Sequence, residues 1–137
     1  MAKKMLGSKS NEFVENLWLL ILRASAGGFM LTHGIPKLMK LVHGDTSFAD
    51  PFGIGALPSL ILVIFAEVLC STLVILGIGT RLATIPLIIT MAVASFMVLA
   101  HASFANKELP LLFLLVFITI LVYGSGKFAL GGLISGK

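Results

Sequence analysis

Apolar residues fall in four long runs along the chain, separated by short polar stretches. The runs cover about residues 14–35, 57–76, 82–100 and 109–123. Each is near the roughly 20 apolar residues that carry a helix across a bilayer, the fourth being the shortest. They are continuous rather than alternating, so they predict helices and not barrel strands. The first extends in helical pattern past Pro36 to Val42. "HGDTSFADPFGIGALP", residues 43–58, is rich in loop formers. "GIGTR" at 77–81 and "HASFANKE" at 101–108 are short turns, and "GSGK" at 124–127 ends the last run. The pattern predicts an all-α integral membrane protein, an antiparallel four-helix bundle forming one domain over residues 1–137.

Composition agrees: 58% hydrophobic against 12% charged is more apolar than a soluble domain of this length can bury. The net charge of +4 fits basic flanks on a membrane protein. The basic residues are scattered with no aromatic-basic patch, so no nucleic-acid partner is expected. Four spans put both termini on one side. Lys3, Lys4, Lys9, Arg81, Lys127 and Lys137 share that side, against Lys37, Lys40 and Lys107 opposite. The excess predicts cytoplasmic termini. Lys3, Lys4 and Lys9 resemble the start of a leader, but Glu12 and Glu15 follow, Arg23 interrupts the apolar run, and the apolar character resumes at once. The first run is therefore expected to be a span. The lone cysteine, Cys70, offers no disulfide partner and no C-x-x-C pair within the chain.

Arg23 and Glu67 interrupt this pattern. A charge at membrane depth costs about 2.5–3.5 kcal/mol even on the lenient insertion scale. Arg23 lies roughly 13 Å in from the terminus side and Glu67 roughly 15 Å, at 1.5 Å per residue. Equal depth on adjacent helices predicts an Arg23–Glu67 pair, direct or through water. Helical spacing predicts the inward faces. These are Arg23, Gly27, Met30, Gly34 and Lys37 on the first helix, and Glu67, Cys70, Ser71 and Val74 on the second. Thr90, Ala94, Met97 and His101 are expected to face inward on the third, and Glu108, Leu112, Leu115 and Thr119 on the fourth.

The polar seam is expected to widen opposite the termini, where His33, Lys37, His101 and Glu108 fall. Histidines exchange protons near neutral pH, and a lysine beside an acid can bind an anionic or quinone-like head group. The candidates for ligand binding or proton handling are thus Arg23, His33, Lys37, Glu67, His101 and Glu108, with no catalytic residue assigned. Arg23 and Glu67 serve equally well to fix helix register. Gly77 and Arg81 read as a structural turn, with Arg81 anchored on lipid phosphate or on helix C-terminal carbonyls. The histidines at 33, 43 and 101 match no local ligand spacing, so no metal is expected.

"RASAGGFMLTHGIPKL" in the first helix, Glu67 in the second, "GIGTRLA" at the following turn, His101 and "GSGK" together resemble the DoxX family of small bacterial membrane proteins. The resemblance runs from about Leu19 to Gly126, and its pattern is met by Arg23, Gly27, His33, Gly34, Lys37, Glu67, Gly77, Arg81 and His101. It implies a multi-pass protein of the bacterial inner membrane, with a link to quinone-dependent or sulfur and oxidative-stress redox systems. Wider relatives use paired cysteines, which this chain lacks. No flavin, haem or iron–sulfur motif is present, so no intrinsic cofactor is expected beyond a quinone, and electrons would come from a partner redox protein. Two readings stand. One is a redox-associated membrane subunit whose seam binds a small molecule. The other is a non-catalytic accessory subunit or lipid binder. Oligomeric state is left open.

Overall fold

The computed structural model describes residues 11–135. Lys3, Lys4, Lys9 and Lys137, part of the charge asymmetry above, lie outside the described residues. The described chain is helical: α1 (Glu12–Val42), α2 (Ala56–Leu76), α3 (Thr80–Val98), α4 (Phe104–Tyr123) and a short α5 (Leu130–Ser135). The first four are long and apolar enough to cross a membrane, as the apolar runs predicted. α1 packs on α2, α2 on α3 and α3 on α4, while α4 meets α1 more lightly.

Local chemistry sets the helix ends. The Asn11 side chain accepts from the Phe13 and Val14 N–H groups (2.9 and 3.4 Å), and Glu12 and Glu15 complement the positive end of α1. α1 has 31 residues, about 46 Å of helix, and outruns a hydrocarbon core of about 30 Å. Its far end carries Lys37 and Lys40. Asp50 organises the entry to α2: its carboxylate accepts from the Ile54 and Gly55 N–H groups (2.9 and 2.8 Å) and from the Ser59 hydroxyl (3.1 Å). α2 stops at Gly77 in the left-handed conformation (φ 74°), where Gly77 and Ile78 N–H groups both reach back to the Leu73 carbonyl.

Two stretches widen into π-helical turns: Phe65–Cys70 inside α2 and Ala94–Val98 at the end of α3. The core is built from Met30, Leu60, Val74, Leu87, Phe117 and Ile120, with Phe113 and Phe117 stacked at 5.9 Å between ring centroids. Phe29, Leu62, Leu82, Ile89, Phe96, Leu115 and Val122 point outward, the aliphatic coat that lipid tails require.

The expected inward faces of α1 and α2 are found: Arg23, Gly27, Met30 and Gly34 are buried with Lys37 half-buried, and Glu67, Cys70, Ser71 and Val74 are all buried. Those of α3 and α4 are not. α3 buries Thr80, Ala83, Thr84, Leu87, Met91 and Ser95, while Met97 and His101 are exposed. α4 buries Phe113, Phe117 and Ile120, leaving Glu108, Leu112 and Leu115 outside. Thr90 and Thr119 bond carbonyls of their own helices, Pro86 and Leu115, at 2.7 and 2.8 Å. A threonine satisfied in this way has no need of the interior.

Candidate functional site

Glycine brings α1 and α2 into contact. A Cβ at Gly27 would sit 2.9 Å from the Ser71 carbonyl oxygen, and one at Gly34 would sit 2.8 Å from the Glu67 Cβ. Such close approach is how small residues let membrane helices pack backbone to backbone. Two long side chains of the same stripe, Arg23 and Lys37, reach α2 at opposite ends of this seam.

The expected Arg23–Glu67 pair is not formed. Arg23 is fully buried and turns toward the terminus side. Its Nη1 donates to the Val74 and Ile75 carbonyls (3.1 and 3.2 Å), and Nη2 donates to the Phe128 carbonyl beyond α4. The cation thus sits on the negative end of the α2 dipole, on the carbonyls of its last turn. The depth argument missed these acceptors because backbone carbonyls carry no letter in the sequence. The Gly77 turn fits around the guanidinium, since a Cβ there would collide with Nη1 and with Ala129.

Glu67 pairs instead with Lys37. The carboxylate is 2% exposed and receives both bonds from Lys37 Nζ, at 2.7 and 2.5 Å. The lysine side chain is 29% exposed, so one partner is sealed and the other is open. A lysine stem carries its ammonium several ångströms along an apolar face, which explains how Lys37 reaches inward past Gly34. Glu67 lies in the π-helical turn of α2. Such a turn inserts an extra residue in the helical repeat and is often found at functional sites.

The 43–55 loop leans over this pair. Lys37 and Lys40 each place Nζ 5.9 Å from the Phe48 ring centroid, and Lys40 also donates to the Ser47 carbonyl. The loop's own acids are held in ionised form. Hydrogen bonds from the Ser47 side chain and backbone keep Asp45 below the usual carboxylate range. For Asp50, desolvation pushes the pKa upward, but the bonds from Gly55, Ser59 and Ile54 outweigh it and lower the value.

The other expected seam residues do not converge on Lys37 and Glu67. His33 is exposed on α1, its ring edge-on to Phe113 at 5.9 Å. His101 and Glu108 are exposed around the α3–α4 turn. That turn is pinned by Lys107, whose Nζ donates to the Ala100 carbonyl at 2.9 Å. Among the described residues no three His, Cys, Asp or Glu side chains gather as metal ligands. Cys70 is buried without a second thiol. Arg81 donates from Nη2 to the Val122 carbonyl (3.3 Å), the helix-end anchorage expected of it.

The sequence reading overlooked Phe48, Asp50 and Asn16. The aspartate in "ADPFG" is a turn signal that could have flagged Asp50. Asn16 could not have been found: its Oδ1 accepts from Lys127 N at 2.9 Å across 111 residues.

No curated protein and no solved structure gives a significant match to this chain. The family model described as DoxX matches residues 18–102, ending short of α4 although the resemblance ran to Gly126. That stretch holds Arg23, Lys37, Glu67 and the Gly77 turn and makes up well over half of the sequence, and the chain belongs to the DoxX family.

Proposed function

We propose that the chain is a membrane subunit of a redox system, in which Lys37 and Glu67 form a proton-handling site for a small amphipathic molecule of the quinone class. The observation that carries this reading is the asymmetry of the pair: a sealed carboxylate in a π-helical turn held by a half-open ammonium. A carboxylate kept from water gives up or accepts a proton only through its partner or through a ligand that replaces the partner. The donor set suits a quinone-class head group. The Lys37 ammonium would hold a carbonyl oxygen, Glu67 would exchange a proton beside it, and Phe48 over the lysine would limit water. When bound, such a molecule supplies electron transfer coupled to proton uptake. Electrons would arrive from a partner protein. The site would face away from the termini, which we place in the cytoplasm of a bacterium with the chain in the inner membrane. Gly77 and Arg81 belong to the turn rather than to this site.

Mass spectrometry of the gently purified protein tests the reading. A quinone retained by the wild type and lost from Glu67→Gln supports it. Equal retention by both, or retention by neither, overturns it.

A second reading rests on Arg23. Its guanidinium bonds only backbone carbonyls among the described residues, as in a scaffold without a ligand. In this reading the chain is a non-catalytic accessory subunit, and Arg23→Ala would lower thermal stability or partner recovery with no quinone found in the wild type.

A further inference from the structure

The terminus end of the bundle carries a site of different chemistry. The α2–α3 turn and the segment after α4 enclose two adjoining grooves, of about 440 and 640 Å³. Gly79, Thr80, Ser125 and Gly126 line both, and Arg81 lines the first. Thr80 is 5% exposed, yet its hydroxyl has no hydrogen-bond partner among the described residues. A buried hydroxyl left unpaired costs about 1–3 kcal/mol, which a ligand oxygen would remove.

Two further donor types belong to residues lining the same grooves. α3 begins at Thr80, and Gly79 offers no side chain to cap it, so among the described residues the first-turn N–H groups of Thr80, Arg81 and Leu82 have no partner at the positive end of a 19-residue helix. The Arg81 guanidinium makes one hydrogen bond, to Val122, and its remaining N–H groups have no partner among the described residues. It lies against Gly124, where a Cβ would sit 3.2 Å from Nε. Lys127, in the second groove, is paired with Glu12.

We propose that this groove binds a phosphate group. Backbone amides, a hydroxyl and a guanidinium approaching from different directions suit a tetrahedral anion with several acceptor oxygens better than a planar carboxylate. The site lies at the opposite end of the bundle from Lys37 and Glu67 and does not depend on the reading of that pair.

The test uses the full chain in a phosphate-free detergent, following its thermal midpoint. One arm adds phosphatidylglycerol, a second adds sodium phosphate, and sodium chloride of equal ionic strength is the control. A saturable rise with phosphatidylglycerol alone assigns a lipid head group. A rise with sodium phosphate as well assigns a free phosphate. In either case the apparent affinity should fall about tenfold in Thr80→Val and in Arg81→Gln, and hold in Thr80→Ser. Arg81 is exposed, so its variant reports even where a core change perturbs folding. No rise above the chloride control in either arm, or a rise that Thr80→Val and Arg81→Gln both keep, overturns the proposal.

Discussion

The α1–α2 seam ends in two buried charges that are handled in opposite ways. At the terminus end, Arg23 is met by three carbonyls and, among the described residues, no carboxylate. At the far end, Glu67 is met by a lysine that still reaches solvent. Carbonyl dipoles are fixed by the backbone and cannot change protonation, so the arginine end has one state. The carboxylate–ammonium pair joins two flexible side chains, one of them partly open to solvent, so the glutamate end can rearrange. A charge buried in a membrane protein is thus a functional signal only once its acceptor is known.

Changes along the seam should break this contrast in graded fashion. Arg23→Ala should have the largest effect, because it strips the donors from the Val74, Ile75 and Phe128 carbonyls. We expect a loss of about 3 kcal/mol or more, read by thermal unfolding in detergent. Arg23→Lys should recover only part of it, since one ammonium cannot span the same carbonyls as the guanidinium fork.

Glu67→Gln should cost less, about 1–2 kcal/mol, because the freed Lys37 can turn to solvent. Lys37→Met combined with Glu67→Gln should regain most of that loss, and a double-mutant cycle measures the coupling. If the pair costs as much to break as Arg23, the two ends do not differ as described.

Gly34→Ala should destabilise by about 1–3 kcal/mol, since its Cβ would meet Glu67 backbone at 3.0 Å. Gly28 has nothing within 4 Å of its Cβ direction, so Gly28→Ala should be neutral or slightly stabilising. Equal effects at the two glycines would deny the close seam.

The smallest effect should come from acid. Asp50 has a folded value below its unfolded one, so its contribution to loop order is complete above about pH 4. It is lost as pH falls through the lower folded value. Limited proteolysis within residues 43–55 should therefore quicken only at acid pH, and Asp50→Asn should cleave readily at neutral pH.

These contrasts also show which parts of the molecule can be read from letters. The faces of α1 and α2 were legible because charges and glycines on an apolar background each demand an interior. α3 and α4 are aliphatic nearly all round, and the threonines that seemed to mark a face bond their own helices. The stacked Phe113 and Phe117 set the α4 face instead, a packing choice with no polar mark. Arg23 and Glu67 were recognised as buried, but their partners were not. Depth along a helix says nothing of azimuth, of the reach of Lys37, or of the carbonyls released at Gly77. The π-helical turn around Glu67 is likewise written in hydrogen-bond spacing rather than in residue type.

The bond from Arg23 to the Phe128 carbonyl closes over 105 residues of chain. Helix α1 is synthesised first, and its arginine then has no acceptor from either α2 or the tail. The bundle must hold that cation in a provisional setting until the segment after α4 has been made. Arrival of the segment after α4 is therefore registered in α1, by a guanidinium that gains its third carbonyl only then.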